Sequence, residues 1–220
     1  PPNAGLPHLP TEGLGHLNVQ DIVESYRPVC AGDTFTAKVK IVDIAWKTLK
    51  TLGPSIFTQV QTNYINQHGD LTATVWQTQC MSTNRPGGGE PAPTPDKPGV
   101  VAKDNNKLTF ERKRRGAEPR YWEDVKVGQE LDPLDKGVYT VTEMNRYNIN
   151  CQYAPRNLSG LRGAGGGNGM ERQPAWRLHD FGMQRTCWLG QLCTDWMGDR
   201  GTLKKLWSQI RLVNWIGNIN

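Results

Sequence analysis

Between Asp21 and Cys80 the chain alternates apolar and polar residues over long stretches, and this period of two restricts the fold more than any other feature. In AGDTFTAKVKIVDIAW, Phe35, Ala37, Val39 and Ile41 share one face, while Thr36, Lys38 and Lys40 share the other. IVESYRPV, IFTQVQTNYIN and DLTATVWQTQCM read as three more strands. The last two are joined by NQHGD, a short polar loop with glycine, which is a hairpin signal. Four strands with a hairpin predict an antiparallel sheet with one wet face. The residues before them, 1–20, are rich in Pro and Gly and read as loop.

After this sheet the pattern breaks. Residues 82–119 are dense in Pro and Gly and then in charge, and read as a linker between a first domain, 1–81, and a second, 120–220. The run Arg112, Lys113, Arg114, Arg115 has two readings: a solvated linker, or a contact to phosphate. It has little aromatic interleaving, which argues against nucleic acid. From residue 120 the chain reads as a short lead-in, a strand, and a helix start capped by Thr142. The glycine-rich stretch 154–175 lacks the Gly-Lys-Ser/Thr of a P-loop and the strand and helix of a dinucleotide fingerprint. It reads as loop.

The clearest helix is Met183–Met197. Trp188, Leu189, Leu192, Cys193, Trp196 and Met197 recur at i, i+1, i+4, i+5, i+8 and i+9. This face predicts Trp188, Leu192 and Trp196 packed on the sheet. Gly198 is a suitable stop. LKKLWSQIRLVNWIG then reads as a strand.

Composition excludes several classes. No apolar run approaches the ~18 residues that span a bilayer. No charged segment followed by an apolar one opens the chain, so a secretory leader is not expected. The five cysteines, Cys30, Cys80, Cys151, Cys187 and Cys193, are odd in number, and none forms a Cys-x-x-Cys pair. Neither a disulfide framework nor a metal site is expected, and a reducing cytoplasm fits them. The net charge of +5 suits an anionic ligand.

Three segments resemble the MaoC-like acyl-CoA hydratases/dehydratases of the fused double-hotdog type. AGDTFTAKVKIVDI with NYINQHGDLTATVWQT resembles the strands of the N-terminal dehydratase hotdog. PRYWEDVKVGQELDPLDKGVYTVTEM resembles the opening of a second MaoC domain. DFGMQRTCWLGQLCTDWMGDRGTLKKLWSQIRLVNWIGN is similar to that domain's central helix and following strand. The resemblance implies an α+β hotdog fold: an antiparallel sheet wrapped around a central helix, in two halves, the second with too few strands to be complete. It implies hydration of a 2-enoyl-CoA, or dehydration of a 3-hydroxyacyl-CoA. Coenzyme A thioester would be the substrate, with no cofactor. The shortage of strands in the second half predicts a homo- or hetero-oligomer with sheet edges paired across the interface, and no membrane partner is expected. A non-catalytic hotdog subunit, which binds acyl-CoA or completes a partner's site, is the alternative.

The same resemblance singles out residues. The family's Gly-Asp-x-Asn-Pro-x-His stretch is replaced by NLSGLRGAGGGNGMERQPAW, which holds neither Asp nor His. His179 and Asp180, beside the helix entry, are then the candidate acid–base pair. The bland reading makes Asp180 a helix cap and leaves His179 exposed. Backbone amides at Gly182 and Met183 would hold the thioester oxygen. Lys204, Arg211 and Arg114 are candidates for the phosphates of coenzyme A. His68 reads as a turn residue; His8 and His16 show no role.

Overall fold

The computed structural model describes residues 14–83, 114–140, 143, 146–147 and 180–211. Their elements are β1 (Gly15–Ser25), β2 (Phe35–Leu49), β3 (Gly53–Asn66) and β4 (Leu71–Ser82), a 3-10 turn at Trp122–Asp124, α1 (Gly182–Met197) and β5 (Lys205–Gln209). The strands form one antiparallel sheet in the order β2-β3-β4-β1-β5. Among the described residues, the antiparallel sheet with α1 against it agrees with the expected α+β class.

The details differ where the period breaks. β1 begins at Gly15, inside the stretch expected to be loop. Its register with β4 shifts between Asn18 and Gln20, so Val19 is an extra residue and the alternation is out of step. This bulge brings Asn18 and Asp21, three apart, onto the same face: Asn18 stands opposite Gln79 and Asp21 opposite Gln77. A second shift, at Val42 in β2, does the same for Ile41 and Ile44. Glu143 donates its amide to Thr140 Oγ1 at 3.2 Å, while the expected cap, Thr142, lies outside the described residues. The strand expected at the chain end is described as β5; residues 212–220, the glycine-rich 154–175, Cys151, His8 and the greater part of the 82–119 linker lie outside the described residues.

α1 lies along β1. It meets the sheet through Gly182, Met183, Thr186 and Gly190, residues at i, i+1, i+4 and i+8. A Cβ on Gly182 would stand 3.0 Å from the Asn18 carbonyl oxygen, and one on Gly190 would touch Leu206. Small residues there let helix and sheet approach closely. The tryptophans point elsewhere, which corrects the expected packing. Trp188 meets Tyr139 edge-to-face at 6.1 Å, and the Arg120 guanidinium lies 4.3 Å above Trp196. Segment 114–140 thus straps the helix on its far side. The strap ties to the helix end, where Arg115 N–H donates to Asp195 O and Asp199 N–H to Gly116 O. Gly198 closes the helix as expected: at φ 81° it donates its amide to Thr194 O.

Candidate functional site

Two polar centres flank the start of α1. The first lies between helix and sheet. Asp21 is 0% exposed. Its Oδ2 accepts hydrogen bonds from Asn18 Nδ2 at 2.8 Å and Thr186 Oγ1 at 2.7 Å, and its Oδ1 accepts one from Gln77 Nε2 at 3.4 Å. Behind Thr186, Ser208 Oγ lies at 2.8 Å. An ionised Asp21 only accepts, so Thr186 spends its proton on it and Ser208 donates to Thr186. Burial pushes the Asp21 carboxyl above the usual carboxylate range, against the opposing pull of the bonds from Thr186, Asn18 and Gln77.

The second centre lies on the strap side. The Asp180 carboxylate is fully buried and pairs with Arg185 Nε at 2.8 Å. Tyr139, also buried, donates its hydroxyl to Gln184 Oε1 at 2.8 Å. Burial raises the Tyr139 phenol well above its ordinary range, and the Asp180 and Glu143 carboxylates add to this.

Between the two centres the helix begins at Phe181, whose carbonyl takes the amides of Gln184 and Arg185. The Gly182 and Met183 amides precede these bonds and have no acceptor within the helix. The Met183 side chain turns to the sheet, where its Sδ receives Gln77 Nε2 at 2.9 Å.

The other sequence candidates distribute along the helix. Arg211 sits at its N-terminal end, because Ile210 N–H donates to Val19 O, beside Asn18 and Gly182. Its guanidinium is exposed and touches Gln209. Lys204 stands near the far end of β1, where its carbonyl accepts from Ser25 N–H. Arg114 precedes the Arg115 contact to Asp195, at the helix C-terminus. A helix of 16 residues is ~24 Å long, so these two lie well removed from Gly182 and only Arg211 is close. His179 lies outside the described residues. His16 is on β1 opposite Met81, and His68 is in the β3–β4 turn, where its amide donates to Asn66 Oδ1. Among the described residues no cluster of His, Cys, Asp or Glu could hold a metal ion, and no helix is long and apolar enough to cross a membrane.

Asp21, Thr186, Ser208, Tyr139 and Arg185 were not singled out by sequence. Asp21 is the one that carried a signal, as a carboxylate opening an apolar strand.

No family profile matches the chain, and no curated protein does. Among solved structures, a MaoC-like dehydratase matches over 90% of this chain and 60% of its own length, with a TM-score of 0.56 and 17% identity. The chain has the fold of a MaoC-like dehydratase. It spans 60% of that structure's length. A second MaoC-like dehydratase, from Phytophthora capsici, matches over 96% of this chain and 61% of its own, at TM-score 0.47 and 15% identity. HtdX from Mycobacterium tuberculosis matches over 41% and 34%, at 0.27 and 20%. The five-stranded sheet with its helix is consistent with a hotdog fold.

Proposed function

We propose that the chain binds an acyl-CoA thioester at the start of α1 and takes part in hydrating a 2-enoyl-CoA or dehydrating a 3-hydroxyacyl-CoA. The observation that carries this reading is the Gly182–Met183 pair of amides, unbonded within the helix, in the fold of a MaoC-like dehydratase. Such amides stabilise the negative charge that develops on a thioester oxygen as water adds to the conjugated double bond. Arg211 stands at the same end to meet a phosphate; Lys204 and Arg114 would meet one only from a ligand running the length of the helix. The fused double-hotdog arrangement, assembly into an oligomer and residence in the cytoplasm belong to the same proposal. Coenzyme A enters as substrate, and no cofactor is invoked.

One observation favours the second reading, a non-catalytic subunit. The acid–base role would fall to His179 and Asp180, yet the Asp180 carboxylate is buried against Arg185. A partner's carboxylate and histidine would then act on the thioester held here. The test is turnover of a short 2-enoyl-CoA by the purified chain, followed by loss of the conjugated thioester's absorbance. Turnover that falls by about 100-fold in His179→Ala supports the catalytic reading. Acyl-CoA binding without turnover supports the subunit. Absence of both overturns the proposal.

A further inference from the structure

We infer that Asp21 is a positioning residue, which through Asn18 and Thr186 latches the first turn of α1 onto β1 and so sets where the Gly182 and Met183 amides stand. The latch is drawn from geometry; its purpose rests on the thioester reading above.

Asp21 reaches both walls of the helix start. On the sheet side it holds Asn18, whose carbonyl oxygen and Cβ would lie 3.0 and 3.1 Å from a Cβ on Gly182. On the helix side it holds Thr186, whose hydroxyl also lies 3.3 Å from the Gly182 carbonyl oxygen. One carboxylate oxygen, Oδ2, takes both bonds. Gln77 extends the hold to Met183: its amide nitrogen lies 3.4 Å from Asp21 Oδ1 and 2.9 Å from Met183 Sδ. Each of the two helix residues whose amides would meet the thioester is therefore tied back to Asp21 through one intermediary.

An apolar seam would hold the helix but leave it free to slide; a buried acceptor with directional partners specifies one register. The bulge at Val19 exists to the same effect, because without it Asn18 and Asp21 would face opposite ways. The Asn18 side-chain oxygen is buried without a hydrogen-bond partner. An amide can turn end for end, so Asn18 is able to meet an ionised Asp21 with its nitrogen or a protonated one with its oxygen. The groups facing Asp21 from β1, β4, β5 and α1 are Asn18, Gln77, Ser208, Met183 and Thr186, none of them charged. Ion pairs on or beside the same elements include Asp180–Arg185 and Glu24–Lys205.

The experiment uses the full chain, with Thr186→Val to cut the latch and Thr186→Ser to restore it. Amide hydrogen exchange compares the start of α1 with its last turn, and titration measures affinity for hexanoyl-CoA. The expected result is that Thr186→Val speeds exchange at the helix start by about tenfold, leaves the last turn unchanged, and weakens hexanoyl-CoA by about tenfold, with Thr186→Ser reversing both. Equal loosening at both ends, or no change at the start of a folded Thr186→Val, overturns the latch. If Thr186→Val does not fold, Ser208→Ala, which removes the donor behind Thr186, is read by the same criteria. Failure of the unaltered chain to bind hexanoyl-CoA overturns the thioester reading, while the exchange comparison still decides the latch.

Discussion

Two parts of one sheet face invert the usual distribution of polarity. Where α1 covers β1, β4 and β5, the polar contacts are made by Asp21, Asn18, Thr186, Ser208 and Gln77, beside Met183 and the close approach of Gly190 to Leu206. On β2 and β3 the same face carries Ile41, Ile44, Trp46, Ile56 and Val60, following the register across β4. Ile44 is 49% exposed and Trp46 74% exposed. Burying hydroxyls while exposing indole and isoleucine is the costlier arrangement for an isolated layer. The covered part is therefore built for a fixed position of the helix. The open part has the composition of a surface that another layer covers. The fold neighbour has a longer chain, of which this one spans 60%.

Substitutions break this contrast in a definite order. The largest effect is expected from Asp21→Ala. It leaves Asn18, Gln77 and Thr186 without their acceptor and costs about 2–4 kcal/mol in urea unfolding. The loss of less than about 1 kcal/mol would show that the polar seam does not hold the helix. Asp21→Asn sharpens the point through pH. Burial raises the folded carboxyl above its ordinary value of 3.8, so the folded state binds more protons than the unfolded one in the window above that value. Asp21's contribution to stability is thus fullest below pH 3.8 and declines as pH rises through the folded pKa. Urea melts at several pH values should show the unaltered chain losing ground to Asp21→Asn as pH increases; the opposite trend would contradict a desolvated carboxyl.

Trp196→Ala is expected to cost about 2–3 kcal/mol, less than a fully buried tryptophan, because the ring is only partly buried and meets the Arg120 guanidinium. Thermal melts of Trp196→Ala and Arg120→Ala, singly and together, should show coupling between the strap and the helix. Additive losses would mean the strap does not grip there. Gly198→Ala places a side chain at φ 81° with a Cβ 2.9 Å from the Gly116 carbonyl oxygen, and should cost about 1–2 kcal/mol. The smallest effect belongs to the open part: Ile44→Ser or Trp46→Ser should change stability by about 0.5 kcal/mol or less. Sedimentation of the same variants should move toward smaller species if that face joins copies of the chain. A large stability loss would show instead that the face is already covered.

Local order carried what depends on neighbours in sequence. The alternation at Phe35–Ile41, the NQHGD hairpin and the Met183–Met197 period identified strands β2–β4 and the helix, and the glycine at 198 marked its end. Each rests on the direction in which successive side chains leave a backbone of known period. The partners of those side chains came only with the tertiary structure. Period alone gives a helix an apolar face but does not say what lies against it, and a strap drawn from residues 114–140 took Trp188 and Trp196 from the sheet. The bulges at Val19 and Val42 likewise escape pattern reading, since one extra residue reverses every later side chain and only the paired strand reveals it. Asp21 became a buried anchor because residues 165 positions away, on the helix, and 56 away, on β4, converge on it.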